Sequence, residues 1–240
     1  YSETLEQRLA PVTKALRIAQ QQGDPYLELF CTQNLAGSCE NEGHYAQSLP
    51  YRVQALQLAH EIQDRYQIGE AHYLYGLVHA HLGMYESALD HLQQALTIAS
   101  ESSFTWLEKR CLNRLAMSYC CLGKFDMAYS FSIKVHLPNR RDGETSPFFA
   151  FTHAQVLTAQ GRWAKAKSIY QRQLTLKRAT LGITLTRLLP ELAELAQIAL
   201  HEADPATALT YVEEMLEILN KYPHFSMSDL YFNRFAIDLA

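Results

Sequence analysis

Apolar side chains recur at spacings of three and four along almost the whole chain, and the runs break about every twenty residues at a glycine or a short polar stretch. That period belongs to one face of an α-helix, not to the alternation of a strand. Around Gly83 the pattern is clear: Tyr75, Gly76 and His79 precede the break, and Tyr85, Ala88, Leu89, Leu92, Ala95 and Leu96 follow it. The spacing predicts two amphipathic helices with a glycine turn between them, glycine supplying the left-handed residue that ends the first helix without a Cβ clash. Gly76 and Ala88 are small where the two helices have to meet, so a bulky residue at either is expected to wedge the pair apart. Asp24-Pro25, Ser146-Pro147 and Asp204-Pro205 each put a capping side chain before a proline that suits the first helical position.

The pair repeats. Gly43, Gly83, Gly123 and Gly161 are each followed two residues later by an aromatic (Tyr45, Tyr85, Phe125, Trp163) and three further on by a small residue (Ser48, Ala88, Ala128, Ala166). A fifth copy puts Ala203 in place of the glycine and Pro205 in place of the aromatic, and keeps Ala208. Successive turns lie 40, 40, 38 and 42 residues apart, so the unit length is held while the loops drift. The expected layout is one solenoid over 1–240. It has a half repeat over 1–24, repeats over about 25–63, 64–103, 104–145, 146–183 and 184–224, and a half repeat over 225–240. The longest loop is expected after Pro138, over Asn139 to Ser146. The final SMSDLYFNRFAIDLA ends on apolar residues without a polar cap, and terminal repeats normally carry one, so the chain reads as part of a longer protein.

These residues resemble the tetratricopeptide repeat, with its small residue before the turn, glycine at the turn, aromatic soon after and small residues in the second helix. The likeness runs over five repeats from about Tyr26 to Tyr222. It departs from the pattern where Thr32, His72 and Leu112 replace the usual first-helix tryptophan, where Val135 stands for an alanine, and in the longer unit. Units of this length are similar to those in the regulatory regions of MalT-like activators and other signal-transduction ATPases. The resemblance implies an all-α, right-handed superhelical solenoid whose first helices line a concave binding groove. It further implies a protein-interaction module, or alternatively the small-effector sensor of a MalT-like activator.

Composition narrows the classes. With 21 Lys plus Arg against 25 Asp plus Glu, the chain has no sequence-wide basic surface for phosphate backbones or anionic lipid, and no direct nucleic-acid partner is expected. No apolar run approaches the roughly 20 residues a bilayer span needs, and the first ten residues lack the basic and apolar parts of a signal peptide, so a membrane association is not expected. Five cysteines, Cys31, Cys39, Cys111, Cys120 and Cys121, fall within helical stretches without a Cys-x-x-Cys. They read as buried thiols in a reduced, cytoplasmic setting.

The resemblance carries the groove onto Phe30, Gln33, Gly37 and Asn41, then Glu70, Tyr73, Leu77 and His81, then Arg110, Asn113 and Met117, then Phe148, Phe151 and Gln155. Aromatics beside amide and guanidinium groups suit recognition, because rings give contact area at low entropic cost and polar heads fix orientation. Gln33, Tyr73, Arg110, Asn113, Phe151 and Gln155 are the expected binding residues, for a protein or peptide partner or a small effector. Gln33, Gly37, Tyr73 and Leu77 stand where the family's clamp for acidic chaperone tails has Lys and Asn, which disfavours that ligand.

Catalysis has none of its usual parts. Phosphate-loop, nucleophile-elbow and dinucleotide glycine motifs are absent. His60-Glu61 begins like a zinc-protease helix, but Asp64 stands where the second histidine is needed. His72 and His79 share a helix face about 10 Å apart, too far for one ion. Glu213, Glu214 and Glu217 are expected to face solvent beside Lys221. No cofactor, metal or chemistry is expected.

Overall fold

The computed structural model describes residues 5–136, 147–180 and 185–222. Eleven α-helices occur there: α1 Leu5–Gln22, α2 Pro25–Asn41, α3 Tyr45–Ile62, α4 Arg65–His81, α5 Tyr85–Glu101, α6 Thr105–Cys121, α7 Phe125–His136, α8 Pro147–Ala159, α9 Trp163–Ala179, α10 Leu189–His201 and α11 Pro205–Lys221. A single 3-10 turn, Leu185–Leu188, leads into α10, and no strand occurs among the described residues. The loop expected over Asn139 to Ser146, the cap at Ser146 and the half repeat from 225 lie outside the described residues. The chain divides into two compact units, residues 1–118 and 119–240.

Each helix pair is closed by the same turn. Met84 N–H donates to the His79 carbonyl at 2.9 Å and Gly83 N–H to that of Ala80 at 3.1 Å, with Gly83 at φ +75. This double closure satisfies the last carbonyls of the first helix and needs one left-handed residue. It recurs at Gly43, Gly123 and Gly161. In the fifth pair Ala203 takes φ 58 and the closure is kept, Asp204 N–H reaching Ala199 O at 2.9 Å. The fifth turn therefore loses its glycine but not its conformation. Left-handed residues also end second helices, at Gly23, Gln63 and Ser103.

At the other end of the helices the expected caps appear. Asp24 accepts from Leu27 N at 3.0 Å and Asp204 from Thr207 N at 3.1 Å, each before a proline. Asp64, whose presence breaks the zinc-helix pattern, caps α4 by accepting from Tyr66 N at 2.9 Å and Gln67 N at 3.2 Å.

In the first unit the core lies between successive helices. Leu29, Ala55, Leu58, Ala59 and Ala71 form one cluster, and Leu16, Cys31 and Leu35 another. The small residues sit where helices approach: Ala88 is fully buried, and a Cβ added at Gly76 would lie 3.1 Å from the Ala88 carbonyl oxygen and 3.0 Å from Leu92 Cγ. In the second unit Leu157, Ala166, Tyr170, Leu174, Leu189, Leu192, Leu195 and Ile198 belong to a single core. Ala128, Ala166 and Ala208 are buried at the matching small-residue positions. None of the five cysteines is in a disulfide; four are buried and Cys121 is half-buried. Burial first of all pushes the Cys111 and Cys120 thiols up to about 12, so neither is a thiolate at neutral pH.

Candidate binding surface on the first helices

The first helices of the pairs are α2, α4, α6, α8 and α10, and they carry the expected binding residues. Within each unit, polar contacts one repeat apart tie first helices together. Gln33 on α2 donates to Gln67 on α4 at 3.5 Å. Arg110 on α6 donates from Nη1 to both carboxylate oxygens of Glu70 on α4, at 2.8 Å each, and its guanidinium carbon stands 4.0 Å above the Tyr73 ring. Burial works against the charge on Arg110, but Tyr73 and then Glu70 outweigh it and its pKa is raised, so Arg110 is a fixed cation. In the second unit Gln155 on α8 donates to Glu194 on α10 at 3.2 Å, and the Phe151 ring meets Tyr170 edge-on at 5.4 Å.

Burial separates the expected residues into two groups. Tyr73 and Asn113 are 3% exposed and Gln155 2%, so each is buried. Gln33, Arg110 and Phe151 keep partial exposure, and Phe30 on α2 is 62% exposed. The described structure thus brings Tyr73 to Arg110 and Gln155 to Glu194. Nothing is described of the Phe148 side chain. Gln67, and Glu70 as the direct partner of Arg110, are the residues sequence reasoning did not place at the centre. A signal was available: Glu70 and Arg110 are 40 residues apart, so opposite charges occupy one position of successive repeats.

The histidines form a group of a different kind. His91 on α5 lies beside His72, Nδ1 to Nδ1 at 3.0 Å, and its ring is also 5.6 Å from His79 and 4.5 Å from Tyr75. Burial, followed by His91 and His60, lowers the His72 pKa to about 4, and the pair is held neutral with one ring nitrogen donating to the other. No group of three or more His, Cys, Asp or Glu among the described residues is placed to hold a metal ion. Glu213 and Glu217 are exposed, while Glu214 is bound by Arg178 at 2.5 Å.

Paired helices that repeat with one turn chemistry and are tied through their first helices define a helical-repeat protein of the α-solenoid class. Residues 28–101 and 154–183 match family profiles described as the tetratricopeptide repeat. The chain carries tetratricopeptide repeats over those two stretches. Among curated proteins none matches it. Among solved structures, BtubC (BKLC) from P. vanneervenii is similar in fold at 19% identity and TM-score 0.76, with 94% of each chain covered. A signal-transduction ATPase with a tetratricopeptide-repeat sensor, PH0952 from Pyrococcus horikoshii, is similar at 18% identity and TM-score 0.64, over 92% of this chain and 34% of that one. NprR in complex with its cognate peptide NprX is similar at 15% identity and TM-score 0.65, over 95% of this chain and 66% of that one. Its repeats are those of a protein-interaction module. No helix among the described residues is long and apolar enough to cross a membrane.

Proposed function

We propose that this chain is the partner-binding, regulatory part of a signalling or transcription-regulating protein, and that it grips an extended peptide segment along its first helices. The observation that carries the reading is the ladder of half-buried polar groups there: Gln33 with Gln67, and Arg110 with Glu70 over Tyr73. A glutamine amide offers one acceptor and an N–H donor pair, which match the carbonyl and N–H of a peptide bond. Two such amides on adjacent helices can hold a backbone while Phe30 supplies apolar contact and Arg110 with Glu70 reads a polar side chain. Tyr73 and Asn113, both buried, back this surface within the first unit, while Phe151 and Gln155 stand on the first helix α8 of the second unit. NprR, similar in fold, carries a peptide, which agrees with a peptide as ligand.

The test is selection of short peptides from a displayed random library on the immobilised chain, followed by calorimetry of the enriched sequences. Enriched peptides that bind the wild type and lose affinity about tenfold in Gln33→Ala and in Arg110→Lys, both checked for native circular dichroism, support the reading. A library that yields no enriched peptide, or peptides that bind both variants as well as the wild type, removes it.

A further inference from the structure

Helix α9 is unlike the others in charge. Residues 162–179 hold six Lys and Arg and no Asp or Glu. Three of the six are matched by carboxylates from other elements: Lys167 by Glu202, Lys177 by Glu191 and Arg178 by Glu214. Arg162 and Lys165, one turn of helix apart, meet no carboxylate among the described residues, and both line a surface cavity of about 390 Å³ between α7, α8 and α9.

The cavity has two kinds of wall. Ala164 and Ile169 are apolar, and the Tyr129 ring has the Arg162 guanidinium 4.8 Å from its centroid and the His153 ring at 5.6 Å. Ser168 adds a hydroxyl at the rim. Arg162 is held in place by that stacking and by donation to Gln160 Oε1 at 3.3 Å, which leaves further N–H groups of its fork for a ligand. Lys165 is exposed and makes no described hydrogen bond or ion pair.

We propose that this cavity binds a small molecule carrying a phosphate monoester on an apolar, ring-like body. Two unmatched cations on one rim call for a ligand with about two negative charges, which a phosphate monoester carries at neutral pH and a single carboxylate does not. The volume is within the range of small-molecule sites, and the Tyr129, Ala164 and Ile169 surface accepts an apolar group beside the phosphate. This site lies within the second unit and does not depend on the peptide reading.

Calorimetry of the whole chain with phenyl phosphate, inorganic phosphate and phenol tests it, with Tyr129 ring resonances followed by NMR. Phenyl phosphate is expected to bind, to move the Tyr129 resonances, to weaken as salt is raised, and to bind at least about tenfold more tightly than inorganic phosphate or phenol. Lys165→Gln touches no described partner and should keep the fold while weakening phenyl phosphate about tenfold; Arg162→Gln should do at least as much. Absence of phenyl phosphate binding overturns the proposal. So does equal affinity in Lys165→Gln and wild type, and inorganic phosphate binding as tightly as phenyl phosphate overturns the assignment of the apolar wall.

Discussion

Arg110 reaches across one repeat to Glu70 and donates to both of its carboxylate oxygens at 2.8 Å, with its guanidinium carbon 4.0 Å from the centre of the Tyr73 ring. The two side chains retain 22% and 16% exposure, so solvent weakens the pair without dissolving it. Removing one partner leaves a half-buried charge, and each of Arg110→Met and Glu70→Gln should lower stability by about 2 kcal/mol. The double variant should lose less than the two singles together by about 1 kcal/mol, read from urea unfolding in a double-mutant cycle. Strict additivity would show that the pair contributes no coupling.

Ala203 holds φ 58 where the other turns have glycine. A left-handed alanine carries a steric cost of roughly 1–2 kcal/mol, partly offset by glycine's greater freedom in the unfolded chain, so Ala203→Gly should raise stability by about 0.5–1 kcal/mol. Gln63→Gly and Ser103→Gly, at φ 59 each, should act in the same direction. Thermal unfolding checks this; a lower melting temperature in all three would contradict the turn geometry.

Two glycines should respond differently to a methyl group. At Gly83 nothing lies within 4 Å of the added Cβ, and Gly83→Ala costs only the left-handed strain, about 1 kcal/mol. Gly83→Asn, which tolerates that conformation, should recover part of it. At Gly76 the added carbon meets Leu92 Cγ at 3.0 Å and a backbone oxygen at 3.1 Å, so Gly76→Ala should cost about 1–3 kcal/mol and Gly76→Val more. Recovery of Gly76 by Asn would mean that packing is not the cause.

The neutral His72 and His91 pair makes stability depend on pH. His72 has an ordinary pKa of 6.5 when unfolded and about 4 in the fold, so the unfolded chain binds more protons between those values. The stability carried by the neutral ring is intact above pH 6.5 and is lost as pH falls towards and through about 4, amounting to about 3 kcal/mol. The groups facing the pair are His60, His79, Tyr75 and Asp90; only Asp90 favours a proton on His91. His81, lowered to about 3 by burial first and Arg114 next, acts in the same direction. Urea midpoints measured across this window should fall with pH, and His72→Phe should flatten the fall. An unchanged slope in His72→Phe would assign the effect elsewhere.

Much of the fold is visible in the sequence because its turns are made by residue types that do little else. Glycine at Gly43, Gly83, Gly123 and Gly161, and Asp-Pro at Asp24 and Asp204, carry their conformations openly. Gln63, Ser103 and Ala203 hide theirs, since neighbouring helices force the left-handed state on residues that do not prefer it. The proposed binding surface is only partly legible in the sequence. Periodicity assigns Tyr73, Asn113 and Gln155 to the first helices, but whether a side chain at such a position is covered depends on the helix packed beside it. All three are covered. The contact of His72 with His91 joins helices across a turn, 19 residues apart, and reading α4 alone shows only the spacing to His79.

Left-handed residues fall at positions 23, 43, 63, 83, 103 and 123, one every twenty residues, each at a turn between consecutive helices. A stretch of forty residues can therefore be copied or excised with its ends already matching the joints it leaves. A gene for such a chain can change length in whole units without redesigning a junction, and the ladder of first-helix side chains lengthens or shortens by one rung each time.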